Sequence, residues 1–430
     1  MKKLMSWLSI VVISIFIVAN FSIVDCKAKE AIQLNILVGA HPSVTAMRET
    51  IPAFEELFNA KVILDEMDAM RVYDKALIET ASSVSSYDVI MLDVVWIAEF
   101  AKKGLIEEIN RYLYDENIAD PEFDYDDIVP SYREALCEWG GKIYALPISG
   151  EANMLAYRKD LFEKYDKNPP KTMEELMELA EFFNGKEENL YGISMLAQRG
   201  HMVTYGWFCL LWPFNGPVLD ENMEPRLNTP EAVESLKFFA ELVNNFSPLG
   251  AVNAAYEEAT MAFQQGMAAL YIAATNISYL ENPEYSIVGG NIGYSLIPAK
   301  KTQAHAVAGW TLAIPANAKN KEMSYKFIEF VNNKESDKTK AIAGTMPNRV
   351  STFEDPDLIS EFPYYPFVLE ALKKGEAEFR PRIPEWQQMS EIIGLYIHQA
   401  ILGEKTAQEA LDIVQKEVRE VLEDAGYYKN

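Results

Sequence analysis

The chain has 430 residues, 49% of them hydrophobic, with 21 glycines and 21 prolines. That is enough apolar residue for two globular units and too little Gly and Pro for a low-complexity chain. Its formal charge of -25 repels nucleic acid and anionic headgroups, which excludes nucleic-acid binding and argues against a highly anionic ligand.

The N-terminus opens on a basic tip, Met1-Lys2-Lys3, followed by the apolar run LMSWLSIVVISIFIVANFSIV (4 to 24). This is the pattern of a secretory signal, long enough also for an uncleaved anchor. Cleavage after Ala28 fits Cys26-Lys27-Ala28 as a small-x-small site, whereas IVDC (23 to 26) resembles a lipobox that would lipidate Cys26, with Asp25 departing from that pattern. Loss of residues 1–28 removes three lysines and one aspartate, so the exported body is more acidic still. Cys137 and Cys209 remain, far apart and without C-x-x-C spacing, and are expected as buried free thiols.

IQLNILVGA (32 to 40) alternates as a strand, and Met47, Ile51, Phe54 and Phe58 recur at helical spacing around Pro52. AKVILDE (60 to 66) and YDVIML (87 to 92) predict two further strands, each followed by a helix, the last running through Phe100 and stopping at Gly104. This βαβαβα order predicts a parallel sheet with ligand-accessible βα loops, here carrying His41-Pro42-Ser43, Asp68 and Asp93-Val94-Val95-Trp96. The acidic segment YDENIADPEFDYDD (114 to 127) lacks the glycine and final glutamate of a calcium loop and reads as a solvated loop.

A second α/β unit begins near GKIYALPISGE (141 to 151), with strands near 142–148, 153–157, 190–195 and 268–273. Helices are predicted at 173–184 behind Thr172, at 230–245 and at 257–266. AVAGWTLAIP (306 to 315) and MSYKFIEFV (323 to 331) make another strand and helix, and 406–422 closes the chain as an amphipathic helix capped at Thr406. Trp310 directly after Gly309 is either strand packing or an indole face left open to a flat partner.

Four blocks, YDVIMLDVVWIAEFAKKGLIEEI, GKIYALPISGEANMLAYRKDLFEKY, AVAGWTLAIPANAKNKEMSYKFIEFV and RPRIPEWQQMSEIIGLYIHQAILGEKTAQEALDIV, resemble in order the family 1 extracellular solute-binding proteins of bacterial ABC importers. The similarity is to the sugar and polyol branch, such as the sorbitol/mannitol-binding and maltose/trehalose-binding types. The resemblance implies an α/β fold of the two-lobe periplasmic-binding-protein type II, closing about a hinge on its ligand. It implies an N-lobe of residues 29–149 and 300–345 and a C-lobe of 150–299 and 346–430. The crossings fall near Ser149-Gly150, Pro298 to Thr302 and Thr345 to Arg349. The implied role is capture of a sugar or polyol for a membrane permease, by a monomer in the periplasm or on the outer face of the membrane, without chemistry.

A sugar presents apolar C–H faces and a rim of hydroxyls, so its site needs an aromatic platform and groups that exchange several hydrogen bonds. The resemblance gives Trp310 the platform role and Asp93 and Glu151 the hydroxyl-accepting roles. For Asp93 a helix N-cap is the compatible alternative, and for Glu151 an ordinary surface glutamate. Arg349, in the P-x-R-x-S segment, either clamps a hydroxyl pair or pins a crossover. Asn276 stands where relatives have tryptophan, which implies a smaller or more polar ligand. His41, Ser43 and Trp96 are further candidates, whereas Trp207, Trp212 and Trp386 are expected chiefly as core. His201, His305 and His398 are scattered without metal-ligand spacing, so no metal and no cofactor are expected. An exported glycosidase uses similar carboxylates and aromatics, but the matched blocks are those of a binding family. Polyamine or glycerol phosphate remains as alternative cargo on the same fold.

Overall fold

The computed structural model describes residues 31–274 and 277–428; the export signal and Asn276 lie outside them. Among the described residues the strands that build the main sheet are β1 (Ile32–Gly39), β2 (Ala60–Met67), β3 (Val89–Asp93), β4 (Ala145–Arg158), β5 (Tyr191–Ser194), β6 (Ala268–Ala274), β7 (Ile292–Ser295), β8 (His305–Ala313) and β9 (Gly375–Glu376). Their order is β2-β1-β3-β8-β4-β6-β5, with β7 added to β4 and β9 to β8. β1, β2 and β3 pair in parallel, as the βαβαβα reading predicts. The helices between them are Pro42–Met47 (α1), Ile51–Phe58 (α2), Ala69–Ala81 (α3) and Ile97–Lys102 (α4). The helical run expected from 47 to 58 is thus broken, and Pro52 opens α2, where its missing N–H costs nothing.

The second unit packs Met173–Phe183 (α5), His201–Asn215 (α6), Pro230–Phe246 (α7) and Tyr256–Gln264 (α8) around β5 and β6; Lys321–Phe330 (α9) packs on α2 through Phe327 and Phe330, and Trp386–Ile401 (α10) and Ala407–Asp424 (α11) follow. Thr172 and Thr406 each form the reciprocal capping box with a glutamate three residues on. α6 escapes the sequence because it is apolar on every face, with residues 203–214 all buried, so it shows no helical stripe. Trp207, Trp212 and Trp386 are core, Trp207 bonding Ser235 and Trp212 the Phe379 carbonyl. Cys137 and Cys209 are buried and free, burial pushing the Cys209 thiol up to about 12.

The two strands expected at 142–148 and 153–157 are one 14-residue strand, β4, with Lys142–Ile143 paired instead in a small hairpin with Glu138–Trp139. Pro147 does not break β4 because it stands at a bulge: Trp310 faces Ser149 and Thr311 faces Pro147, leaving Ile148 unpaired. β4 and β8 join the two units. Residues 145–152 of β4 pair with β8, and residues 153–157 pair with β6. Near the crossing expected at Pro298 to Thr302, Ala299 and Lys301 bond the Lys171 and Pro213 carbonyls of the second unit. Arg382 and Lys102 tie the two units along one edge, Trp139 Nε1 donating to the Arg382 carbonyl at 3.1 Å and Lys102 Nζ standing 3.4 Å from Glu385.

Gly309 and Gly150 face each other across this joint. A Cβ on Gly309 would sit 2.1 Å from the Ser149 carbonyl, and one on Gly150 2.2 Å from the Tyr132 ring. The glycine before Trp310 is thus explained by the close approach of two strands, together with a φ of +144° that side-chain-bearing residues avoid. Gly309→Ala is expected to cost about 2 kcal/mol of stability, read as a lower urea midpoint at unchanged slope.

Arg349 is fully buried. Its Nε donates to the Asn332 carbonyl at 2.8 Å, Nη1 to the Asp124 carbonyl at 2.9 Å and Asp127 Oδ2 at 3.1 Å, and Nη2 to the Phe123 carbonyl at 2.6 Å. Of the two roles the resemblance allows, this geometry is the pin, with its fork turned away from the cleft. The acidic segment is correspondingly more than a solvated loop, since its last turn is the socket for this guanidinium.

Candidate functional site

The carboxyl ends of β1 and β3 and the middle of β4 and β8 converge on one place. His41 caps α1, its Nδ1 accepting from Ser43 N–H at 3.2 Å and lying 2.7 Å from Ser43 Oγ, which leaves Nε2 3.7 Å from Glu151 Oε1. Asp93 ends β3 and caps the next turn by accepting from Val95 N–H at 3.1 Å. It is directly opposite Trp310 in the ladder. Trp96 meets the Trp310 ring edge-on at 5.6 Å and is backed by Tyr73 at 5.2 Å, with the His41 ring tilted at 6.1 Å. Trp310 is half-buried while Trp96 is buried. Trp96, the more buried of the two, props the indole, whereas Trp310 keeps partial exposure.

The second unit supplies the opposite wall, and three of its residues escaped the sequence reading. Arg380 Nη1 stands 3.9 Å from Asp93 Oδ1 and 3.5 Å from His201 Nε2, with its guanidinium 5.6 Å over the Tyr205 ring. Arg380 opens the RPRIPEW block, but no spacing or period ties it to Asp93 far upstream. The sequence therefore carries no local signal for the pair.

Burial pushes the Asp93 carboxyl above its ordinary range; Arg380 and the Val95 N–H pull it down, Glu151 pushes it up and His41 pulls it down. Each acid of the cleft thus faces a basic group: Asp93 faces Arg380, and Glu151 faces His41. Ser43 is buried beneath His41. Arg349 does not reach this cluster.

Two imidazoles near the joint are held neutral. Burial, with Arg380 adding to it, lowers His201 to about 3. Burial lowers His305 to about 4 against the Asn153 carbonyl that accepts from its Nδ1. An unfolded histidine protonates near pH 6.5, so below that value the unfolded chain binds more protons and stability falls with pH. The Asp93 shift has the opposite sign, in a window beginning near the ordinary carboxylate range. The thermal midpoint is expected to drop steadily from pH 6.5 toward 4, and His305→Gln to flatten the slope by about one proton. A slope unchanged by the substitution would show that His305 titrates normally.

Residues 41–338 match the family model described as bacterial extracellular solute-binding protein. The chain is 25% identical to the mannitol-binding protein of Pseudomonas aeruginosa, over 95% of this chain and all of that protein. It is 26% identical to the erythritol/L-threitol-binding protein of Mycolicibacterium smegmatis, over 77% of this chain and 73% of that protein. A solved structure of an ABC-transporter solute-binding protein from Agrobacterium radiobacter in complex with ribitol superposes with a TM-score of 0.84 at 28% identity, covering 91% of this chain and 99% of that one.

Proposed function

The chain belongs to the bacterial extracellular solute-binding proteins, and from that premise we propose that it captures a small neutral polyol or sugar between its two lobes and hands it to a membrane permease. The observation that carries the reading is the half-buried Trp310 platform set among the Asp93–Arg380 ion pair and Glu151 with the His41 imidazole beside it. Carboxylates, a guanidinium and an imidazole together offer hydroxyls both donors and acceptors, which suits a neutral polyhydroxy ligand. The relatives that bind mannitol, erythritol or ribitol support the same class.

In this reading Trp310 stacks on the ligand's C–H face, Asp93 and Glu151 accept from its hydroxyls, and Arg380 donates from the other lobe. His41 and Ser43 line the entry loop. The N-lobe carries β1–β3 with the first half of β4 and the second half of β8, and the C-lobe carries β5–β7 with α10 and α11. Closure on ligand commits the protein to the state the permease reads. The signal-like residues 1–28 fit work outside the cytoplasm, with Cys26 as a lipid tether or Ala28 as the cut.

A thermal-shift screen of the mature protein against D-mannitol, ribitol, erythritol, maltose, glycerol phosphate and spermidine tests the ligand class. A ligand at a hundred times its Kd stabilises the folded state by about 2.7 kcal/mol, and the expected result is a clear upward shift with one polyol or sugar, recovered intact after long incubation. A shift with spermidine or glycerol phosphate alone overturns the neutral-ligand reading.

A further inference from the structure

We infer that the Tyr205 hydroxyl and the Asn153 amide form a hydrogen-bonding subsite on the second wall of the cleft, where they take a hydroxyl group of the ligand. The inference rests on the polyhydroxy reading above and adds the groups that read one of those hydroxyls.

His201, Tyr205 and Cys209 stand four residues apart along α6, so they share one face of that helix, the face Arg380 covers. Tyr205 is 6% exposed and its hydroxyl has no hydrogen-bond partner. Asn153 is fully buried; its Oδ1 accepts from Ala306 N–H at 2.6 Å, but its Nδ2 has no partner. Native interiors rarely leave such groups unmet, because each has given up water for nothing. These two are neighbours, since both side chains stand beside the Cys209 thiol without bonding it. They also look toward the established cluster. Asn153 follows Glu151 by two residues on β4 and so projects from the same face, and the Tyr205 hydroxyl feels the charges of both Arg380 and Glu151. Two unmet polar groups beside the acids and the guanidinium of a ligand cleft are what a hydroxyl from the ligand would complete.

Tyr205→Phe separates this role from a structural one by the sign of its two effects. Removing an unpaired buried hydroxyl costs the ligand-free protein nothing, so its melting temperature is expected to stay level or rise. The same change is expected to weaken binding of the best polyol among D-mannitol, ribitol and erythritol about 5- to 10-fold by calorimetry. A series of monodeoxy analogues is the second arm: one of them should lose as much affinity for the unaltered protein, yet bind the variant as well as the parent polyol does. An unchanged Kd overturns the inference, as do deoxy and variant losses that simply add. If the unaltered protein binds no polyol or sugar at all, the ligand class fails first and the subsite fails with it; polyol binding that Tyr205→Phe leaves intact sinks the subsite alone.

Discussion

Trp310→Ala is expected to weaken ligand binding about 100-fold, or about 3 kcal/mol, while leaving the ligand-free protein close to its original stability. In the aromatic row Tyr73–Trp96–Trp310 the middle ring is buried and the indole at the Asp93 end is half-buried, so part of its apolar area is available to a ligand rather than already used in the core. Its truncation removes the platform and leaves Trp96 propping empty space, still backed by Tyr73. Trp310→Phe should recover part of the loss, since a smaller ring keeps a stacking face. Isothermal calorimetry with the polyol found in the thermal screen measures both. Full affinity in the alanine variant would remove the platform from the site and leave the polar groups to account for binding.

Arg349→Ala is expected to act oppositely, lowering stability by about 3–5 kcal/mol with little change in affinity of the protein that remains folded. The side chain makes four hydrogen bonds with no exposed surface. Its removal strands the carbonyls of Phe123 and Asn332, leaves the Asp124 carbonyl with the Asp127 N–H alone and takes the cation from the Asp127 carboxylate. Asp127 would keep only the Ser351 N–H and hydroxyl, at 2.9 Å and 2.6 Å. Lysine is no rescue, because a single ammonium cannot span three carbonyls and a carboxylate as the planar fork does. Urea unfolding gives the stability and calorimetry at low denaturant gives the affinity. A variant that kept its stability and lost its ligand would return Arg349 to the clamp role.

What the sequence disclosed followed from how local each signal is. Alternation and capping are short-range, so β1 to β3, α5, α7 and α11 were readable from period and from the Thr172 and Thr406 caps. The family blocks put Trp310, Asp93 and Glu151 forward, and the fold brings these three to one cleft. The gap expected between 148 and 153 falls on Gly150, a breaker in isolation; only the partner strand reveals that it sits against Tyr132 and that Pro147 stands at a bulge. α6 was invisible for the reverse reason, an apolar surface with no wet side to set a period. Arg380, His201 and Tyr205 depend on contacts between distant segments, and nothing in their neighbours announces them.

The break in register at Ile148 bears on how the halves of the molecule move. β4 and β8 are laddered from Ala145 to Ala152 on one side, and β4 runs on against β6 beyond it. Bending such a ribbon in the middle of a regular ladder would stretch bonds in sequence, each resisting the next. At the unpaired residue a change of angle stretches no ladder bond, and the facing glycines just past it have no side chains to collide. The ribbon is therefore expected to crease at this one place, so that any turning of the halves would be set by a proline and one surplus residue rather than by a loose linker.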